Sequence, residues 1–117
     1  MATTHTIVIS VTNGNFTYDP STLNAKRKQK VTWTSTDGAF AVTFQDQSPF
    51  PDISYSSHPD GEGNHVIDPV KIRNNADGHN HYAVALVLMI EVPDADPIAR
   101  VILDSGCPDI VVSGSEG

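Results

Sequence analysis

Apolar residues recur at every second position in several short stretches of this chain, the period of a strand that lays one face on a core. In Thr6 to Val11 the residues Ile7, Ile9 and Val11 share a face, which predicts a first strand. Asn13-Gly14-Asn15 favours a turn, because Gly and Asn accept positive φ, and Phe16-Thr17-Tyr18 resumes extended chain until Asp19-Pro20 interrupts it. Leu23 and Ala25 are apolar anchors before a basic turn. Val31 and Trp33 then alternate with threonines, and beyond Asp37-Gly38 the residues Phe40, Val42 and Phe44 share a face, so a hairpin or a neighbouring strand pair is expected.

From Gln45 to Asn64 the pattern is lost. Ser, Pro, Asp and Gly dominate, Phe50, Ile53 and Tyr55 are the apolar anchors, and a long surface loop is predicted. A strand over Val66 to Arg73 follows, broken by Asp68-Pro69, which places it at a sheet edge or at a bulge. After a turn at residues 74 to 78, Tyr82 to Ile90 is apolar at odd and even positions alike, which suits a central strand covered on both faces; a helix is the competing reading, because Ala, Leu and Met favour one. Pro93, Pro97 and Pro108 divide the remainder, leaving Ile98 to Leu103 and Asp109 to Val112 as final candidate strands. Seven or eight short strands with no amphipathic helix predict an all-β fold, an antiparallel β-sandwich.

A length of 117 residues is enough to enclose one core without disulfides, so residues 1 to 117 are expected to form a single domain. Seven Lys and Arg against fourteen Asp and Glu give a net charge of -7, which disfavours sequence-independent contact with nucleic-acid phosphates. The basic residues are unevenly placed: Lys26, Arg27, Lys28 and Lys30 fall in one turn, whereas residues 45 to 69 hold five acids and no Lys or Arg. A solvated turn accounts for the basic cluster; a docking patch for an acidic partner is the alternative. Cys107 is the single cysteine, which rules out an intramolecular disulfide and fits a reducing compartment. The first residues carry no basic leader and no apolar run of signal-peptide length, so a cytoplasmic location is expected unless a leader has been removed. Tyr82 to Ile90 is about half of what would span a bilayer as a helix, and no membrane contact is expected.

Between Phe16 and Phe44 the order is an aromatic pair, a Pro, a Leu, a basic turn, Val-x-Trp, a polar turn and Phe-Ala-Val-Thr-Phe. This resembles the N-terminal half of the cupredoxins, the Greek-key β-sandwiches that include plastocyanin. The resemblance implies that fold, and it implies a copper-ligand His four residues before the second Phe of the last block, a position held here by Phe40. In the C-terminal half of the family a Tyr precedes a Cys ligand by four residues on one strand; Tyr82 matches, and the Cys position falls on Leu86. Ser48-Pro49-Phe50 and Asp96-Pro97-Ile98 resemble, respectively, the loop and the final Asp-Pro signature of small bacterial cupredoxin-like domains, which leaves the last strand either near Ile98 or near Ile110. An immunoglobulin-like sandwich is the alternative, since a strand Trp and a later Tyr also occur there, although the cysteine pair is lacking.

A type 1 copper centre needs two imidazoles and a thiolate, and the resemblance implies the family's order, with a His after the Cys. The five histidines, at positions 5, 58, 65, 79 and 81, all precede Cys107, so electron transfer is the least favoured function. Other chemistry remains. His79-Asn80-His81 on an extended segment would point both imidazoles to one side, where they could hold Zn, Ni or Cu(II), with His65 or His58 from the long loop as a third ligand; a polar turn is the plain alternative. Asp60-Gly61-Glu62-Gly63-Asn64 offers oxygen ligands of the kind calcium takes, or is simply a solvated acidic loop. Ser57, His58 and Asp60 supply the residue types of a hydrolytic triad, but sequence neighbours do not adopt its geometry and no Gly-x-Ser-x-Gly elbow is present. Cys107, among Asp104 and Asp109, has a disfavoured thiolate. No enzyme is predicted. The reading is a binding or assembly module without type 1 copper, with a protein partner or self-association, or else a metal-binding protein that uses His79 and His81.

Overall fold

The computed structural model describes residues 3–104 and 108–115 of the chain, so expectations about Cys107 lie outside the described residues. Eleven strands are found among them: β1 Thr4–Thr12, β2 Asn15–Asp19, β3 Thr22–Arg27, β4 Lys30–Ser35, β5 Phe40–Phe44, β6 Ser54–Ser56, β7 His58–Pro59, β8 His65–Lys71, β9 Gly78–Ile90, β10 Ile98–Asp104 and β11 Asp109–Ser115. They form two sheets packed as a β-sandwich. One sheet has the order β2-β1-β4-β8-β7; the other has the order β3-β11-β9-β5-β6, with β10 also paired to β9. Most pairs are antiparallel, but β1 runs parallel to β4 and β3 parallel to β11, so both sheets are mixed rather than purely antiparallel. No helix of the described residues is long and apolar enough to cross a membrane.

The alternating residues form the core. Ile7 and Ile9 of β1, Val31 and Trp33 of β4 and Ile67 of β8 face Leu23, Ala25, Phe40, Val42, Phe44, Tyr82, Val84, Leu86, Ile110 and Val112 of the opposite sheet. At its centre the fully buried Trp33 meets Phe50 edge-on at 5.6 Å between ring centroids and Tyr82 at 5.8 Å. These are favourable aromatic geometries. Burial pushes the Tyr82 phenol up to about 12.

Two expectations need correction, and a third holds. The segment from Gln45 to Asn64 is not one loop. Its first part folds onto the core because the Ser48 hydroxyl donates to the Asp52 carbonyl at 2.7 Å and accepts the Phe50 N–H at 3.1 Å, seating Phe50 in the interior. Its second part supplies β6, which pairs with β5, and β7, which pairs with β8. The break at Asp68-Pro69 is a bulge: Val31 pairs with Val70 and Trp33 with Ile67, so two residues of β8 stand opposite Thr32. The Thr32 hydroxyl closes the gap by donating to the Ile67 carbonyl at 2.5 Å.

The second correction concerns β9. It is a central strand, not a helix, but only its inner face is covered. Residues 82 to 86 pair with β5 on one side; on the other, β11 pairs with residues 78 to 81 and β10 with residues 84 to 90. Both candidates for the last strand are therefore strands, laid end to end along the same side of β9. The turn before β5 approaches β9 so closely that the Val87 N–H donates to the Ala39 carbonyl at 2.8 Å. Beyond that bond, Leu88–Ile90 and their β10 partners continue as a two-stranded ribbon.

Candidate functional site

The N-terminal end of β9 alternates strictly. Asn80 points inward and is 1% exposed, and its amide donates to the carbonyls of Gly78 and Ile110, each at 3.0 Å. His79 and His81 consequently project from the outer face, with their rings parallel to within 9° and 6.0 Å apart. The register of β11 sets Asp109 directly opposite His81. Asp109 is buried; one carboxylate oxygen accepts the Asn80 backbone N–H at 2.9 Å and the other accepts from His79 Nδ1 at 2.6 Å. One ligand atom from each of His79, His81 and Asp109 lies within 4.8 Å of the others. Gln47 braces the same end of the strand by donating to the carbonyls of Asp77 and His79, each at 3.0 Å.

The two histidines proposed from the sequence are thus brought together, and the third member is Asp109 rather than His65 or His58. Those two lie on β8 and β7 of the other sheet, where the backbones pair as His58 with Val66 and Pro59 with His65. His58 is engaged elsewhere: its Nε2 contacts Asp68 at 2.9 Å, and that carboxylate raises the imidazole pKa. A raised folded-state pKa favours the folded form below the ordinary histidine range, a contribution that fades as pH rises through the folded value. In Asp68→Asn the His58 titration followed by NMR should therefore return toward the ordinary range; an unchanged midpoint would show that the pair does not form in solution.

The residues of the other candidate constellations have partners of their own. Asp60 spends its carboxylate on its own loop, accepting the backbone N–H groups of Glu62 at 2.7 Å and Asn64 at 3.1 Å and the Asn64 side-chain amide at 2.9 Å. These bonds lower its pKa. Ser57 accepts the Phe40 N–H through its hydroxyl at 2.8 Å. In the basic turn, Arg27 donates to the Ala76 carbonyl at 2.9 Å and Lys30 stands opposite Lys71.

A second feature occupies the rest of the same outer face. Ala83, Ala85, Val87 and Met89 of β9 stand beside Ala99, Val101 and Leu103 of β10 through the pairs Met89 with Ala99, Val87 with Val101 and Ala85 with Leu103. Ala41 of β5 joins them opposite Ala85. Met89 is 60% exposed, Val101 61% and Leu103 77%. The sequence signal for this surface was the doubly apolar run of β9; the missing cover on one face is visible only in the fold. Phe40 and Leu86, at the positions where the cupredoxin resemblance would put copper ligands, are cross-strand partners buried in the core at 4% and 0% exposure.

No protein-family model matches the chain, and no curated protein matches it.

Proposed function

We propose that this domain is a cupredoxin-like binding module without a type 1 copper centre, and that its chemically specific site is the trio His79, His81 and Asp109, which takes a divalent transition ion, Zn(II) or Cu(II). The observation that carries this reading is the convergence of two imidazoles and a carboxylate within 4.8 Å on one strand pair. Nitrogen and oxygen donors of this kind suit both ions, and three protein ligands leave a further position for water or for a donor from a partner. The site is accessible, since the His79 side chain is 69% exposed, while the 9% exposed Asp109 is held in place by its bond from the Asn80 N–H. A carboxylate oriented in this way loses less freedom on binding than a flexible surface acid. The ion replaces the proton that bridges His79 and Asp109, so affinity falls as the pH is lowered and the imidazoles protonate.

Zinc titration monitored at the imidazole nitrogens provides the test. His79 and His81 should shift together at submillimolar zinc while His5 and His58 stay in place, and His79→Ala or His81→Ala should each weaken binding by about tenfold or more. Absence of any shift at His79 and His81 over that range would sink the reading.

A second reading, a protein-binding or assembly role, is favoured by a separate observation: the uncovered apolar face of β9 and β10, with Val101 and Leu103 among the most exposed large hydrophobic residues. Contiguous apolar surface of this kind marks an interaction site. The protein's acidity argues against a nucleic-acid partner.

A further inference from the structure

We infer that the partner for this surface is a second copy of the same chain, which adds its own β10 antiparallel to β10 about a twofold axis at Ile102. The inference rests on the protein-binding reading above and identifies the partner that it leaves open.

Three properties of β10 lead to it. The strand pairs with β9 alone among the described residues, so its outer edge presents unpaired backbone N–H and C=O groups over Ile98–Asp104. An edge of that length with no proline inside it and one charged side chain before its last residue lacks the devices that normally blunt edge strands. The side chains of the outer face are apolar throughout, Ala99, Val101 and Leu103, continuous with Val87 and Met89 of the neighbouring strand. The third property selects the partner. Arg100 and Asp104 lie on the other face, two residues to either side of Ile102, and the sequence Arg100-Val101-Ile102-Leu103-Asp104 is complementary to its own reverse. Antiparallel pairing centred on Ile102 sets each Arg100 opposite the Asp104 of the other copy, Ile102 opposite itself, and each Val101 opposite the other copy's Leu103. Two ion pairs and three apolar pairs arise from five residues, and any other register loses the charge match.

The acid is prepared for this arrangement. Asp104 receives the Tyr18 hydroxyl at 2.5 Å, which fixes the carboxylate at the sheet edge, and burial together with that contact raises the Tyr18 phenol well above its ordinary value. Arg100 is exposed and makes no ion pair with the described residues. A twofold strand addition of this kind is isologous and closed, so it ends at the dimer and leaves no free copy of the same edge. It joins two six-stranded sheets into one and brings their apolar outer faces side by side.

Light scattering across a concentration series, on the full chain and on charge-swapped variants, tests the register directly. The wild-type chain should be dimeric at high micromolar concentration. Arg100→Glu sets two acids against each other twice and should weaken the dimer by about tenfold or more, and Asp104→Lys should do the same with two cations. An equimolar mixture of the two variants restores both ion pairs and should recover a heterodimer close to wild-type affinity. Leu103→Lys, at a position 77% exposed and therefore safe for folding, should also weaken the dimer. A wild-type chain that stays monomeric near millimolar concentration overturns the inference, as does a dimer that ignores both Arg100→Glu and Leu103→Lys, or variants that fail to recover on mixing. Binding of a hydrophobic dye separates this failure from that of the underlying reading: a monomer that binds dye and loses it in Leu103→Lys retains the interaction surface, whereas a monomer that binds none removes both.

Discussion

Replacing Trp33 with alanine should remove about 3–5 kcal/mol of unfolding free energy, the usual range for deleting a large buried aromatic group. For a domain whose total is typically about 5–15 kcal/mol this is a large share. The position justifies the upper part of the range. Trp33 is fully buried and its ring contacts reach Phe44 at 6.5 Å, Phe50 at 5.6 Å and Tyr82 at 5.8 Å, which tie β4 of one sheet to β5 and β9 of the other and to the segment after β5. Urea denaturation followed by far-ultraviolet circular dichroism measures the loss, and Trp33→Phe, which keeps a ring in the site, should lose markedly less. A cost below about 1 kcal/mol for Trp33→Ala would mean that the site collapses around the deletion and that the cluster does not organise the sandwich.

Gly38→Ala should also destabilise, by less and for a different reason. A β-carbon at Gly38 would sit 2.0 Å from the Val87 carbonyl oxygen and 3.3 Å from Leu86 Cδ2. The first neighbour is backbone, which cannot swing aside as a side chain can, so either the turn or β9 must move. The expected cost is that of overpacking, about 1–3 kcal/mol. It should be local, centred on the Val87 to Ala39 hydrogen bond at the point where β9 leaves the sandwich. Hydrogen exchange should therefore accelerate at Val87 and Leu88. The trio lies at the opposite end of β9, so zinc-dependent shifts of His79 and His81 should survive the substitution. Exchange at Val87 equal to that of the wild-type chain would show that the turn tolerates the added methyl.

The parts of this fold that were legible in the sequence are those governed by neighbours along the chain. Ile7 and Ile9, Val31 and Trp33, and Phe40, Val42 and Phe44 alternate because a pleated strand sends every second side chain to the same side, and all seven are buried. The bulge at Asp68-Pro69 was legible for a similar reason, since a residue without an N–H cannot continue a ladder. The same local rule placed His79 and His81 on one face. It failed at β6 and β7, whose three and two residues are too short to show a period. It failed again at Ser48 to Phe50, where one serine hydroxyl turns a polar segment inward.

The third member of the trio was out of reach. Asp109 lies 30 residues beyond His79, and its place beside the imidazoles depends on the register of β11 against β9, which no local pattern encodes. His58 and His65 were attractive because they sit in the same part of the sequence as the pair, but the order of the strands sends them to the other sheet. Strand order also explains the apolar run of β9. Hydrophobicity on both faces is a property of the sequence, whereas the absence of cover on one of them follows from which strands lie beside it.

By itself the sequence determined that this chain builds a β-sandwich around Trp33, that its charge disfavours nucleic acid, and that its histidines cannot reproduce the cupredoxin ligand order. Each of these depends on composition, period or chain order. The tertiary structure alone decided that Asp109 stands beside the histidine pair, that Phe40 and Leu86 face each other inside the core, and that β10 lies at an open edge. Each of these depends on contacts between segments far apart in the chain, which are set by strand pairing and by the burial of one sheet against the other.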